Sequence, residues 1–184
     1  MHLEQGSAEW RALRKTKVTA TDAPVIMGVN KWKKLEQLFD EKMSDEETPI
    51  NPNMQRGLDL EPIARELFCI KQNVEVNPKV ILKDWAMASL DGISECGKHL
   101  VEIKCAGKKD HETALKGGVP LHYYPQLQHQ MFVADVDRMA YFSFDGFDGV
   151  TVFLTRDDEY VKRMVEEELK FLEELEKRRG CMCS

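Results

Sequence analysis

The chain has 184 residues, of which 42% are hydrophobic and 32% charged, and a formal net charge of −6. This length suits a single domain spanning 1–184 with a sizeable core, and no apolar run approaches the roughly 18 residues a membrane span needs. The acidic balance argues against a protein that coats nucleic acid over its whole surface, because that requires clustered Lys and Arg; a carboxylate site for a divalent metal remains compatible with it.

The N-terminal stretch MHLEQGSAEWRALRK lacks the apolar core of a secretory signal, so the cytoplasm is the expected compartment and no membrane partner is expected. Ser7 is a candidate N-cap for a helix over AEWRALRK, with Arg14 at its C-terminal end. In VTATDAPVIMGVN, Thr19 or Thr21 is expected to cap a short helix closed by Gly28, and KLEQLFDEKM reads as a third helix. SDEETPINPN reads as an exposed loop. From Met54 to about Asn73 the apolar residues recur at helical steps, interrupted by Pro62, which predicts a kink or a fresh start at Glu61-Pro62. VEVN, KVILK, AMASLD and HLVEIK then read as strands, with a hairpin turn in ISECGKHL. Helices are expected at DHETALKG and LHYYPQLQHQMFVAD, strands at RMAYFSFD and GVTVFLT, and a closing amphipathic helix with a seam of Met164, Val165, Phe171, Leu172 and Leu175. This order predicts an α/β domain around one central mixed β-sheet flanked by helices.

Five cysteines, Cys69, Cys96, Cys105, Cys181 and Cys183, form an odd set whose spacings supply neither a disulfide framework nor a zinc or iron–sulfur site. The chemistry concentrates in SLDGISECGKHLVEIKCAG. Side chains alternate along a strand, so Leu100, Glu102 and Lys104 share one face of HLVEIK and Val101 and Ile103 the other. Asp91 and Glu102 converge on one ion if their strands pair, and Lys104 then stands beside the reacting phosphate. A D…ExK spacing also occurs on the wet face of ordinary hairpins. The flanking apolar residues favour a buried strand, where charge has to be paired or metal-bound.

SLDG, VEIKC and PQLQHQMFV, preceded by RGLDLEPIARELF and WRALRKTKVTATDA, together resemble the bacteriophage lambda exonuclease family, also called YqaJ-type viral recombinases. The resemblance runs from about Trp10 to the final helix. It implies a restriction-endonuclease-like core of the PD-(D/E)XK type and Mg²⁺, with Mn²⁺ as a substitute. Asp91, Glu102, the Ile103 carbonyl and Glu61 are then the metal ligands. Lys104 is implied to be catalytic, as is Gln128, with Gln126 and Gln130 as alternatives to it. Arg14 and Thr21 are implied to hold the 5′-phosphate of a DNA end. The resemblance further implies 5′ to 3′ digestion of duplex DNA to 3′ single strands, a homotrimeric ring, and a single-strand annealing protein as partner in a phage-infected host.

Read without it, Glu61 has an alternative as the N-cap of a helix restarting at Pro62, Arg14 as a partner of helix C-terminal carbonyls, and Gln128 as a surface residue. Lys31, Trp32, Lys33 and Lys34 read as a DNA grip or as a solvated loop. The rivals to the exonuclease are a restriction-like or repair endonuclease and a silent module that binds DNA ends.

Overall fold

The computed structural model describes residues 3–44 and 49–182. Helix α1 (Ala8–Thr16) starts as expected at Ser7, whose hydroxyl accepts the Trp10 N–H at 3.2 Å. Strand β1 (Val18–Thr19) follows, then α2 (Ala23–Ile26) and α3 (Leu35–Met43). The cap of α2 corrects the sequence reading: Asp22, not Thr19 or Thr21, occupies that position, and it makes no capping bond to the helix. Its carboxylate turns back instead to accept the Thr19 N–H at 2.8 Å.

Part of the expected loop at SDEETPINPN lies outside the described residues; its last part is helical, because α4 (Pro52–Gln72) starts there on an Asn51 cap. Pro62 does not restart this helix, which runs on through it. The proline ring leaves the carbonyl of Leu58, four residues back, without an intrahelical donor. Glu61 is therefore mid-helix and not an N-cap.

The sheet comprises β1, β2 (Asn77–Lys83), β3 (Ala86–Ile93), β4 (Leu100–Lys104), β5 (Arg138–Phe144) and β6 (Gly149–Thr155). VEVN is not a strand in its first three residues; Val76 packs instead under the sheet beside Phe68 and Val101. The order is β1-β3-β4-β5-β6, with β2 on β3. The β1–β3 and β4–β5 pairs are parallel and the others antiparallel, which makes the sheet mixed.

β2 runs along β3 from Ala86 to Ile93. A strand has two edges, so β1, paired at Ala86 and Met87, and β4, paired at Gly92 and Ile93, share the other one. Between them, residues 88–91 face no strand partner on that edge among the described residues, and the sheet opens into a notch.

Helices α5 (Lys108–Leu115) and α6 (Tyr124–Ala134) cover one face, on Ala88, Leu90, Leu100 and Tyr141. α4 covers the other through Ala64 and Phe68 against Val101, Ile103 and Phe142. The closing helix α7 (Asp158–Met182) buries Met164, Phe171 and Leu175 as its seam predicts, and Glu168 with them. No helix among the described residues is long and apolar enough to cross a membrane.

Candidate active site

The site lies where β3 and β4 part. They pair at Ile93–Leu100 and Gly92–Val101 and then diverge. Gly92 permits this close approach, since a Cβ there would stand 2.6 Å from Val76 Cγ2 and 2.8 Å from Val101 Cγ1. Immediately beyond, the Asp91 side chain replaces the lost ladder bond: its Oδ2 accepts the Ile103 N–H at 2.8 Å. The carboxylate of β3 is thereby fixed against the backbone of β4.

Glu102 is 1% exposed, beside Tyr141 of β5 in register. Burying a carboxylate requires donors, and α6 provides two of them. Gln126 Nε2 donates to Glu102 Oε1 and Gln130 Nε2 to Oε2, each at 2.5 Å. Lys104 donates a third bond to Oε1 and holds its ammonium 5.2 Å from the centre of the Tyr123 ring. On the α4 side, Arg65 pairs with Glu61 and donates through Nε to the Asp91 carbonyl at 2.7 Å.

Burial pushes the Asp91 carboxyl well above the ordinary carboxylate range; Glu102 and Glu61 add to the rise, while Lys104 and the Ile103 N–H only partly offset it. Lys104 moves upward: burial alone would lower it, but the Glu102 and Asp91 carboxylates outweigh that. Three carboxylates, Glu61, Asp91 and Glu102, thus meet two cations, Lys104 and Arg65.

No three His, Cys, Asp or Glu side chains close on one point among the described residues, so there is no ready-made cage. The donors nevertheless suit a hard divalent cation. Mg²⁺ typically takes one or two carboxylates and keeps several waters. Asp91 Oδ1 has no hydrogen bond among the described residues, and it lies beside Glu102 and the Ile103 backbone. Glu61 is turned to Arg65 and is near enough to raise Asp91 without joining it.

A second cluster stands on the same side of β3. Arg14 Nη2 donates to Thr21 Oγ1 at 3.2 Å, and Thr21 Oγ1 lies 3.1 Å from Thr19 Oγ1. The Arg14 guanidinium sits 4.7 Å from the Trp10 ring, whose Nε1 donates to Ser89 Oγ at 2.8 Å. Ser89 and Asp91, two residues apart, share one face of the strand. Arg14 thus meets the expected hydroxyl and not helix-end carbonyls.

Gln128 does not reach this site. Its Nε2 donates to the Thr155 carbonyl at 3.1 Å and its Oε1 accepts the Asp157 N–H at 2.9 Å, joining α6 to the end of β6. The reason is helical geometry: residues four apart share a face, while one two residues from each is turned to the far side. Gln126 and Gln130 were the legible pair by spacing. Arg65, close to the site, carried no signal of its own, and Tyr123 read either as a DNA contact or as a bland surface residue. Trp32 is 68% exposed with Lys31 near its ring, whereas Lys33 pairs with Glu41.

The pattern of the YqaJ-like viral recombinase domain matches residues 9–137, from the start of α1 to the edge of β5. The chain belongs to that family. The YqaJ protein of Bacillus subtilis (strain 168), itself uncharacterized, is 27% identical to this YqaJ-like chain over 180 residues, covering 91% of this chain and 56% of YqaJ. The chain thus spans 56% of the length of that relative. The alkaline exonuclease LHK-Exo of Laribacter hongkongensis shares the fold, with a TM-score of 0.78 at 28% identity over 97% of this chain and 100% of that one. LHK-Exo solved in complex with dAMP gives a TM-score of 0.79 at 27% identity, with the same coverage. A phage-related exonuclease from Haemophilus somnus 129PT shares the fold at 16% identity and a TM-score of 0.68, covering 91% of this chain and 96% of its own.

Proposed function

We propose that this YqaJ-like protein is a metal-dependent deoxyribonuclease that digests linear duplex DNA from its 5′ ends and leaves 3′ single strands for recombination by strand annealing. The observation that carries the reading is the parting of β3 and β4, beside which Asp91, the Ile103 backbone and Lys104 gather around the buried Glu102. The likeness to solved exonucleases supports it.

Asp91, Glu102 and the Ile103 carbonyl would hold Mg²⁺, or Mn²⁺ in its place, with Glu61 near enough to contribute. When bound, the ion supplies a water of lowered pKa and offsets charge on the phosphate. Gln126 and Gln130 hold Glu102 in one orientation, and Lys104 keeps a positive charge where the phosphate oxygens become more negative. Arg14 and Thr21 receive the terminal 5′-phosphate, the guanidinium as a fork and the hydroxyl as a further donor. A homotrimeric ring and a single-strand annealing protein are the partners in this reading, and the host cytoplasm its compartment.

Linear duplex DNA with a 5′-phosphate, incubated with Mg²⁺ beside a closed circle, tests the proposal. Release of nucleotides from the linear form alone is expected, with about a 10³-fold loss in Glu102→Ala and in Lys104→Ala, the order of losing a main electrostatic contact. Equal cutting of the circle would make the protein an endonuclease. Unchanged rates in both variants would remove the site.

A further inference from the structure

Lys42 is a lysine in the core, 5% exposed on α3, and the chemistry proposed above makes no use of it. An ammonium has three donors, and here each has a partner: the Arg14 carbonyl at 2.5 Å, the Lys17 carbonyl at 2.9 Å and Asp22 Oδ2 at 2.5 Å. Asp22, 3% exposed, also accepts the Thr19 N–H. One cation therefore binds the backbone of the residue whose guanidinium meets Thr21, and the side chain of the residue that follows Thr21. From α7, Arg179 Nη2 adds bonds to the Lys15 carbonyl at 2.7 Å and the Lys42 carbonyl at 3.1 Å, closing the same end of α1.

Stability alone does not account for such a pair. Apolar side chains of similar volume often fill a buried position as well or better, because they avoid desolvating two charges. Apolar residues would not hold the last turn of α1 and the TATD turn at a fixed separation, as directional bonds to Arg14, Lys17 and Asp22 do.

We propose that Lys42, acting with Asp22, is a positioning residue that sets the separation of the Arg14 guanidinium and the Thr21 hydroxyl, and so sets the preference for DNA ends bearing a terminal phosphate monoester. This rests on the reading that Arg14 and Thr21 receive that phosphate. Lys42 does not touch the phosphate; it fixes the two groups that do.

The test compares KM and kcat on duplexes with a 5′-phosphate and with a 5′-hydroxyl. Lys42→Met keeps the length of the side chain and removes its charge. Lys42→Met with Asp22→Asn removes both charges, so no buried carboxylate is stranded should the single variant fold poorly. The expected result is a KM for phosphorylated ends raised about tenfold, with kcat and the rate on hydroxyl ends little changed. Rescue of the preference by Lys42→Arg, which restores a multiple donor, is also expected. A parallel loss on both substrates, or a lowered Tm with the preference intact, overturns the positioning role and leaves Arg14 and Thr21 as the phosphate site. If the wild type shows no preference, or Arg14→Ala retains it, the phosphate site itself falls and the role of Lys42 with it.

Discussion

Asp91 is a carboxylate in a place that resists one, half-buried beside Glu102 and near Glu61. Because its folded pKa lies above its unfolded one, the stability it contributes is whole below the ordinary carboxyl range and is lost as pH rises through the folded value. At neutral pH the metal-free protein carries this cost. Asp91→Asn removes the charge and can still accept the Ile103 N–H, so it should stabilise the metal-free protein; a gain of about 1 kcal/mol would raise Tm by about 2–4 °C in a chain of this size. The same variant should lose hydrolysis. A lowered Tm in metal-free buffer would mean that the carboxylate is not strained. The glutamines make a second contrast. Gln130→Ala removes the donor to Glu102 Oε2, and Gln126→Ala leaves Oε1 to Lys104 alone; each should weaken metal-dependent activity about 10- to 100-fold, as loss of a bond that orients a ligand typically does. Gln128→Ala should lower stability and leave the metal dependence as it was, because its bonds run to Thr155 and Asp157.

The helix that carries these glutamines is locked at His129. His129 and Glu168 are fully buried; Nδ1 lies 2.8 Å from Glu168 Oε1 and Nε2 lies 3.2 Å from the Met87 carbonyl. Both ring nitrogens thus have an oxygen within hydrogen-bonding distance, one on α7 and one on β3. His129→Leu strands a buried Glu168 and should cost about 3–5 kcal/mol, read as a lower midpoint of urea unfolding. Glu168→Gln should cost much less, since its amide can donate to Nδ1. Equal losses from the two would mean that the amide does not replace the carboxylate as the partner of His129. Pairings of this kind are what the sequence hid. Glu168 sits among solvated glutamates of α7, and only the fold shows that its partner is 39 residues back. The strands were legible because alternation is local: GVTVFLT is β6 as read, and Leu100, Glu102 and Lys104 share the face that HLVEIK implied. Pro62 misled because a local rule predicts a break, whereas α4 is held by Ala64 and Phe68 packing against β4 and β5. Asp22 escaped notice because it answers to Lys42, which is remote in sequence.

Taken whole, the molecule is tied from end to end by α7. Phe171 stacks on Phe39 with centroids 4.5 Å apart, and Arg178 lies 3.8 Å from the Phe39 ring while pairing with Glu36. Arg179 reaches Lys15 and Lys42, Glu168 reaches α6, and Met164 packs on Ala23 of α2. Helices at the start of the chain, the helix over the site and the last helix therefore share one set of contacts, and the chain should unfold as one unit. The three tryptophans report from separate places: Trp10 on α1, Trp32 on an exposed loop and Trp85 at the entry to β3. Their fluorescence and the far-ultraviolet circular dichroism should give the same urea midpoint, the mark of a two-state transition. Two separate midpoints would instead divide α1, α3 and α7 from the sheet. Truncation after Glu167 makes the point harder, because it removes Glu168, Phe171, Leu175, Arg178 and Arg179 at once and uncovers Val18, Leu38 and Phe39. A truncated chain that still unfolded cooperatively at the same midpoint would show that the sheet and its notch stand without α7; the contacts lead us to expect no cooperative transition at all.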